Sequence, residues 1–241
     1  MKIPKKSLGQ NFLIDKNILK KISIQTKLEN ENVVEIGPGY GNLTDYIISK
    51  KPKKLILIEK DRELFKYLKK KYKDQKNVNI INKDVLEYDF TKLKKIKVIS
   101  NLPYNISTKI IMKLIFYNQN IISLIFMIQK ELAIKFDYQK KIINKYKFII
   151  KLCTNYKILF DVSNKVFYPK PKVSSKVVEF IPKKINIDQE HLLNFANIIF
   201  INKRKKIKNN IKLKNNISEN LLNRRVEELS FDELLEIYKF F

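Results

Sequence analysis

Short apolar runs and segments of helical periodicity alternate along the first half of the chain. The runs that predict buried strands are Asn32–Gly37, Leu55–Glu59, Val78–Ile81, Val98–Asn101 and Ile121–Ile128. Between them, helices are predicted from a glycine loop through Ile48, around Leu64, Leu68 and Tyr72, and from Ser107 to Tyr117. Such alternation predicts an α/β fold with a mostly parallel sheet and helices on both faces.

The two ends of the chain have a different pattern. Asp15 can cap a helix that has Ile18 and Ile22 on its apolar side. After Pro182 only helices are predicted, including one with Phe200, Arg204, Ile207 and Ile211 along one stripe and lysines around the rest. Ser230 and Glu233 have the spacing of a capping box that opens a final helix. We therefore predict two domains, residues 1–183 and a small all-helical domain of residues 184–241.

The composition is that of a folded protein with a strong positive charge. The 241 residues are 44% hydrophobic and 31% charged, and the formal net charge is +26. A polyanion such as a nucleic acid would suit this charge, because lysines near phosphates release counterions. However, 46 of the 50 basic residues are lysine, a bias that an AT-rich genome also produces. The charge alone leaves both explanations open.

Several classes of protein are disfavoured by what the sequence lacks. No apolar run reaches the roughly 18 residues of a membrane span, and the first residues lack the apolar stretch of a secretion signal. Cys153, the single cysteine, cannot form an internal disulfide and supplies too little for a zinc site. We expect a cytoplasmic protein with no membrane association and no metal.

Glycines cluster after the first predicted strand. The chain has four glycines, and Gly37, Gly39 and Gly41 fall within five residues. Glycine turns with positive φ and lets a ligand approach the backbone, and open parallel sheets bind nucleotides at this edge. Glu59 ends the second strand, where its carboxylate can accept hydrogen bonds from both ribose hydroxyls of an adenosine-containing cofactor. A glycine turn beside a surface glutamate is the alternative.

The glycine loop does not by itself separate S-adenosylmethionine from NAD. A dinucleotide fold favours Gly-x-Gly-x-x-Gly, whereas the spacing here is Gly-x-Gly-x-Gly. No acid or base suited to hydride transfer is apparent, and the one histidine, His191, is expected at the surface of the helical tail. An NAD-dependent oxidoreductase is therefore disfavoured.

Asn101-Leu102-Pro103-Tyr104 follows a predicted strand and suits chemistry on an adenine amine. The N6 lone pair is delocalised into the ring, so two acceptors on its N–H groups would hold the amine and help it to attack a methyl group. The Asn101 side-chain oxygen can be one acceptor, and the Leu102 carbonyl, kept out of a helix by Pro103, can be the other. Tyr104 offers a ring on which a flipped base could stack. A simple strand-ending turn is the alternative.

Taken together, these residues resemble the small-subunit rRNA adenine N6,N6-dimethyltransferase family, nearly from end to end. The motifs that carry the resemblance are Ser7–Leu13, Glu35–Thr44, Asn101–Ser107, Phe126–Ala133, Phe167–Val173 and Lys203–Lys206. They occur in the family's order. The resemblance implies a Rossmann-like class I methyltransferase fold over residues 1–183 and a basic, RNA-contacting domain over residues 184–241.

The resemblance also implies a site. The residues expected to bind or frame the cofactor, S-adenosylmethionine, are Asn11, Leu13, Gly37, Gly39, Glu59, Asp84 and Asn101. Asn101, Leu102, Pro103 and Tyr104 would hold the target base, and Phe167 would close on its other face. Asp84 would accept from the cofactor's adenine amine, although it could equally cap the following turn. The basic residues expected to contact RNA are Lys203, Arg204, Lys205 and Lys206.

The substrate that the resemblance implies is small-subunit rRNA in an immature subunit, methylated by a monomer at two adjacent adenosines near the 3′ end. Three other functions were considered: a macrolide-resistance methyltransferase of large-subunit rRNA, a non-catalytic RNA-binding assembly factor, and the NAD enzyme. Gln129–Glu131 and the predicted basic helix at Lys203–Lys206 favour the small-subunit family. One departure is Ser100, where the family usually has glycine.

Overall fold

A computed structural model describes residues 10–139, 142–211 and 217–241. The strands are β1 (Phe12–Leu13), β2 (Asn32–Ile36), β3 (Lys54–Glu59), β4 (Val78–Asn82), β5 (Ile96–Asn101), β6 (Ile121–Gln129), β7 (Thr154–Val162), β8 (Phe167–Tyr168) and β9 (Ser175–Pro182). The helices are α1 (Lys16–Ser23), α2 (Asn42–Ile48), α3 (Arg62–Lys71), α4 (Ser107–Leu114), α5 (Lys130–Phe136), α6 (Lys145–Cys153), α7 (Gln189–Ile201), α8 (Glu219–Asn223) and α9 (Phe231–Lys239).

Seven strands form one sheet in the order β4-β3-β2-β5-β6-β9-β7. The pairs from β4 to β6 are parallel, whereas β6 and β9 are antiparallel. The chain passes from β3 and β4 at one side of β2 to β5 and β6 at the other. Parallel sheets of this kind bind ligands where the order reverses, beyond the carboxyl ends of the strands. This confirms the α/β, Rossmann-like methyltransferase architecture and places the glycine loop at that point.

Side chains cap the starts of three helices, α1, α3 and α9, including the predicted caps at Asp15 and Ser230. The Asp15 side chain accepts from the Ile18 N–H, and Asp61 accepts from the Glu63 N–H at the start of α3. Ser230 and Glu233 form a reciprocal capping box before α9. Each cap supplies an oxygen to an N–H that has no partner within its helix, which fixes where the helix begins.

The prediction of one basic helix through Phe200 and Ile211 is wrong. Helix α7 ends at Ile201, the next residues form turns, and a short 3₁₀ helix covers Ile207–Asn209. Lys206 has extended backbone angles and forms an antiparallel bridge with Arg225. Ile207 and Ile211 are nevertheless buried, and the Ile211 N–H donates to the Ile207 carbonyl at 3.2 Å. Most helical stability comes from packing of an apolar face, and this charged run has few apolar residues to pack. The chain therefore forms the Lys206–Arg225 bridge instead of a longer helix.

The contacts divide the chain into two compact units, Met1–Ile134 with Asn155–Lys184, and Lys135–Thr154 with Ile185–Phe241. The second unit therefore includes α6, although the predicted boundary placed that segment in the first domain. Helix α6 belongs to the second unit because of aromatic packing. The centroid of the Phe148 ring lies 5.6 Å from those of both Phe195 and Phe231. The RNA-contacting role of residues 184–241 remains a prediction.

In the part of the chain that the structure describes, no helix is long and apolar enough to cross a membrane. Within those same residues, no cluster of three or more histidine, cysteine, aspartate or glutamate side chains is placed to hold a metal ion.

Candidate active site

A cavity of about 260 Å³ lies in the first unit, beyond the carboxyl ends of the parallel strands. It brings together Asn11, Leu13, Gly37, Gly39, Glu59, Asp84, Asn101, Leu102 and Pro103. Every residue expected to bind the cofactor from the sequence therefore lines one space. A cavity of this kind, apolar with a few convergent polar groups, is the usual form of a small-molecule site.

Two glycines in the loop after β2 occupy positions that a larger residue could not. Gly41 has φ of 79°, and a Cβ there would stand 2.2 Å from the Tyr72 hydroxyl oxygen. Gly39 has φ of 61°, and its Cβ would meet the Phe12 ring at 2.9 Å. Left-handed backbone and close packing together require glycine at both positions. The loop is therefore held in a single shape by the side chains around it.

The Glu59 carboxylate is fixed by two backbone donors. Gly39 N–H donates to Oε2 at 3.2 Å, and Asp61 N–H donates to Oε1 at 2.8 Å. Burial raises the pKa of Glu59 to about 6, while these hydrogen bonds oppose that rise. Each oxygen keeps a further lone pair, so the carboxylate can accept from the two hydroxyls of a ribose.

Glu35 is a second buried carboxyl of the cavity and was not among the predicted site residues. Thr44 Oγ1 donates to its Oε2 at 2.6 Å. Burial raises the pKa of Glu35 from 4.5 to about 8, so at neutral pH the group is mostly protonated. Its position at the start of the motif Glu35–Thr44 was the available signal, since a charged residue within an apolar strand needs a reason.

Asp84 combines the two roles considered for it. Its Oδ1 accepts from the Leu86 N–H and caps a 3₁₀ helix at Val85–Glu87, while Oδ2 pairs with Lys60 Nζ at 2.8 Å. Burial, the largest single influence, acts to raise the pKa of Asp84, but the hydrogen bonds from Lys60 and the Leu86 N–H and the positive charges of Lys60 and Lys113 together outweigh it. The pKa therefore lies below its ordinary value. Asp84 therefore lines the cavity as an ionised carboxylate that also caps the 3₁₀ helix.

The segment before α1 forms one wall of the cavity and is held by side chains from three elements. Gln10 Nε2 donates to Asp61 Oδ2 at 3.3 Å, and Asn42 Nδ2 donates to the Leu13 carbonyl at 2.8 Å. Asn101 Nδ2 donates to the Asn11 carbonyl at 2.9 Å. This places Asn11 and Leu13 where the sequence predicted them, against the glycine loop.

Asn101 is the last residue of β5, and its side-chain oxygen is buried without a described hydrogen-bond partner. The amide orientation follows from chemistry, because the Asn11 carbonyl requires the nitrogen on its side. Across the described residues, no backbone N–H donates to the carbonyl of Leu102. An unpaired buried acceptor costs about 1–3 kcal/mol, so its retention in a cavity wall indicates a ligand.

Ser100 leaves the cavity free although it replaces the usual glycine. Its hydroxyl donates to the Ile36 carbonyl on the neighbouring strand β2, and the residue is fully buried there. The extra atoms therefore lie between two strands and tie the end of β2 to β5. They do not enter the space in front of Asn101.

Tyr104 and Phe167 lie together, outside the residues that line the cavity. The Tyr104 hydroxyl shares a hydrogen bond with Ser175 Oγ at 2.6 Å, and burial raises its pKa. The two rings meet edge to face, with centroids 6.5 Å apart and planes at 69°. A base sandwiched between them would need parallel rings, so one ring must turn when a base enters.

The predicted RNA-contacting residues are in the second unit. Lys203, Arg204, Lys205 and Lys206 are all exposed. Lys203 Nζ lies 3.8 Å from Glu227 Oε1, a pair with both side chains half exposed. His191 is exposed and packs beside Tyr238 and Phe241 in that unit, as expected for a residue without a catalytic role.

Further residues that line the cavity were not predicted as site residues, among them Gln10, Phe12, Tyr40 and Lys60. The first three lie inside the motifs that carry the family resemblance, so their positions were the available signal. The sequence around Lys60 offered no such signal, because Lys60 has a role only through its ion pair with Asp84, which follows another strand.

Comparison with known proteins finds similarity over nearly the whole chain. The profile of the ribosomal RNA adenine dimethylase family matches residues 1–241. Ribosomal RNA small subunit methyltransferase A of Hydrogenobaculum sp. (strain Y04AAS1) is 36% identical over 238 residues, 98% of this chain and 92% of that protein. The enzyme of the same name from Ureaplasma urealyticum serovar 10 is 38% identical over 261 aligned positions, 99% of this chain and 92% of that protein.

Two solved structures have the same fold over nearly the whole chain. A dimethyladenosine transferase from Plasmodium falciparum aligns with a TM-score of 0.77 and 25% identity, covering 95% of this chain and 100% of that one. The 23S rRNA methyltransferase ErmE aligns with a TM-score of 0.74 and 19% identity, over 95% and 98% of the two chains. The second likeness concerns the fold alone.

Proposed function

Because the chain belongs to the ribosomal RNA adenine dimethylase family, we propose that it methylates N6 of two adjacent adenosines near the 3′ end of small-subunit rRNA. The single observation that carries the proposal is the unpaired Asn101 oxygen in the wall of the cavity that Gly37, Gly39 and Glu59 also line. The relatives that share the chain's full length are named for the small subunit.

The cofactor is S-adenosylmethionine, which supplies a methyl group on a positively charged sulfur. Glu59 would hold the ribose hydroxyls, and Asp84 the amine of the cofactor's adenine, since each keeps acceptor capacity beyond its present bonds. The segment Gln10–Leu13 and the glycine loop enclose the cofactor from two sides. Enclosure excludes water, which strengthens every electrostatic contact in the cavity.

Asn101 and Leu102 act on the target amine. The Asn101 Oδ1 and the Leu102 carbonyl would each accept one N–H, which fixes the nitrogen and favours its change from planar to tetrahedral as it attacks. The Asn101 side chain is already oriented for this, because its Nδ2 is bound to the Asn11 carbonyl. Neither a metal nor a covalent nucleophile is required.

Tyr104 and Phe167 would receive the flipped base. Ser175 holds the Tyr104 hydroxyl, so that ring is anchored while Phe167 is free of hydrogen bonds. We infer that Phe167 is the ring that turns, which opens a slot for the adenine beside Asn101. Stacking on such rings contributes about 1–3 kcal/mol per base.

The exposed basic segment Lys203–Lys206 would contact rRNA phosphates in an immature small subunit. We propose that the protein acts as a monomer in the cytoplasm, in ribosome biogenesis. A large-subunit target of the resistance type is the second candidate on fold grounds only. A non-catalytic assembly factor would have no use for the unpaired Asn101 oxygen.

Site-resolved modification of rRNA tests the function. Purified protein with methyl-labelled S-adenosylmethionine should place label on N6 of adenines in small-subunit particles that lack the modification. Unmodified large subunits serve as the matched substrate. Label confined to large-subunit rRNA would replace this proposal with the resistance function, and no transfer to either particle would leave a binding role.

A further inference from the structure

We propose that Tyr168, with Lys165, Lys170 and Lys172, forms a second RNA subsite that stacks and holds a nucleotide flanking the target adenine. The inference rests on the proposed function, because it concerns how the same RNA substrate is bound outside the catalytic turn. The partner is single-stranded RNA, recognised by a base face and adjacent phosphates rather than by base edges.

Strand β8 presents two aromatic side chains in opposite directions. Successive residues of a strand point to opposite faces. Phe167 is 3% exposed and lies against Tyr104, whereas Tyr168 is 51% exposed. Phe167, whose ring would close on the target base, and Tyr168, whose ring faces solvent, are therefore consecutive residues. A nucleotide next to a flipped adenine stays outside the slot, and Tyr168 is the adjoining free ring.

The backbone around Tyr168 is held at both sides. Residues Phe12 and Leu13 pair with Tyr168 and Phe167 in an antiparallel ladder, so β8 is attached to the wall of the cofactor cavity. Asn164 Nδ2 donates to the Pro171 carbonyl at 3.1 Å and closes the loop that carries the two residues. A ring presented from a fixed backbone loses little freedom on binding, which favours its use as a stacking platform.

The charges around Tyr168 suit phosphates. Lys165, Lys170 and Lys172 are exposed, and among the described residues none of the three is in an ion pair. The acid nearest in sequence, Asp161, is already paired with Lys176 at 2.6 Å. An exposed aromatic face in a segment that also carries several exposed lysines is a combination that proteins use for single-stranded nucleic acids.

The test measures RNA binding and turnover with Tyr168→Ala. With small-subunit particles as substrate, we expect the KM for RNA to rise about 5- to 150-fold, the range that corresponds to one lost stacking contact of about 1–3 kcal/mol. The kcat at saturating RNA and the Kd for S-adenosylhomocysteine should stay within twofold. Tyr168→Phe keeps the ring and should behave as the wild type. Ile122→Ala, a change at another large exposed apolar side chain (41%) near the amino end of β6, is the control.

A second measurement addresses the lysines. Replacing Lys170 and Lys172 by glutamine should reduce the slope of log affinity against log salt by about 1.4, or about 0.7 for each single-strand phosphate contact. An unchanged slope together with an unchanged KM in Tyr168→Ala would overturn the subsite. If the wild type itself transfers no methyl group to the small subunit, the proposed function fails instead, so the two failures are distinguishable.

Discussion

The two walls of the cofactor cavity are built on opposite principles. On the glycine-loop side, polar groups are paired within the protein: Glu59 accepts two backbone N–H groups, and Glu35 accepts from Thr44. On the side of the catalytic turn, Asn101 Oδ1 is buried without a described partner. The polar groups of the first wall therefore have partners within the protein, whereas the Asn101 oxygen of the second wall gains one only when a ligand binds.

The difference separates binding from reaction. A wall whose groups are already fixed binds a cofactor without reorganising, which favours affinity. An unpaired acceptor gains its full interaction only when the amine arrives, so it contributes to the transition state rather than to the resting protein. Substitutions on the glycine loop should therefore change stability and cofactor binding, and substitutions in the turn should change the rate of transfer.

The largest expected change in stability is that of Gly41→Ala. Alanine must adopt φ of 79° and place its Cβ 2.2 Å from the Tyr72 hydroxyl oxygen. Backbone strain of about 1–2 kcal/mol and overpacking of about 1–3 kcal/mol predict a loss of roughly 2–5 kcal/mol in the free energy of unfolding. Urea denaturation of the cofactor-free protein measures it.

Gly37→Ala is the matched control for the clash with Tyr72. Its φ of 61° imposes the same backbone strain, but the new Cβ would lie at 3.8 Å from Pro103, an ordinary contact. The loss should therefore be about 1–2 kcal/mol. Equal losses in both variants would show that packing by Tyr72 does not hold the loop.

A smaller effect is expected from the buried carboxyl of Glu35. Because burial raises its pKa to about 8, the folded protein retains a proton that the unfolded chain releases above about pH 4.5. Stability should fall as pH rises from 4.5 to 8 and level off above that. Glu35→Gln removes this dependence, so between pH 6 and 7 the wild type should lose up to about 1.4 kcal/mol relative to the variant.

The check is urea denaturation of both proteins at several pH values in that window. Glu29→Gln, a change of an exposed glutamate, is the control and should follow the wild type. If Glu35→Gln shows the same pH dependence as the wild type, the carboxyl is ionised throughout. The glycine-loop side would then carry a buried charge.

Much of the fold was predictable because its strands are continuous apolar runs. Each of the five predicted strands is present within two residues of its expected start. Strands β7 and β9 were not predicted, since charged residues, Lys157 in β7 and Glu179 in β9, interrupt their apolar residues and only pairing in the sheet makes them strands. The turn at Lys203–Lys206 was missed for a related reason: the bridge to Arg225 is a long-range contact that no local pattern reveals.

The site residues that could be predicted are those at the end of a strand or just after it. Glu59, Asp84 and Asn101 all line the cavity because parallel strands end at one edge. What the sequence could not show is which atoms remain unpaired. The hydrogen bond from Asn101 Nδ2 to the Asn11 carbonyl spans 90 residues, and it decides that the side-chain oxygen is left for the substrate.

Single-turnover transfer by Asn101→Ala tests the central claim most directly. We expect the rate to fall about 100- to 1000-fold, because one acceptor for the reacting amine is lost. The Kd for S-adenosylhomocysteine should stay within tenfold, and the free energy of unfolding within about 1 kcal/mol, since one hydrogen bond is exchanged for a relieved unpaired oxygen. Retained turnover would contradict the account, as would a rate that falls only in proportion to lost cofactor binding.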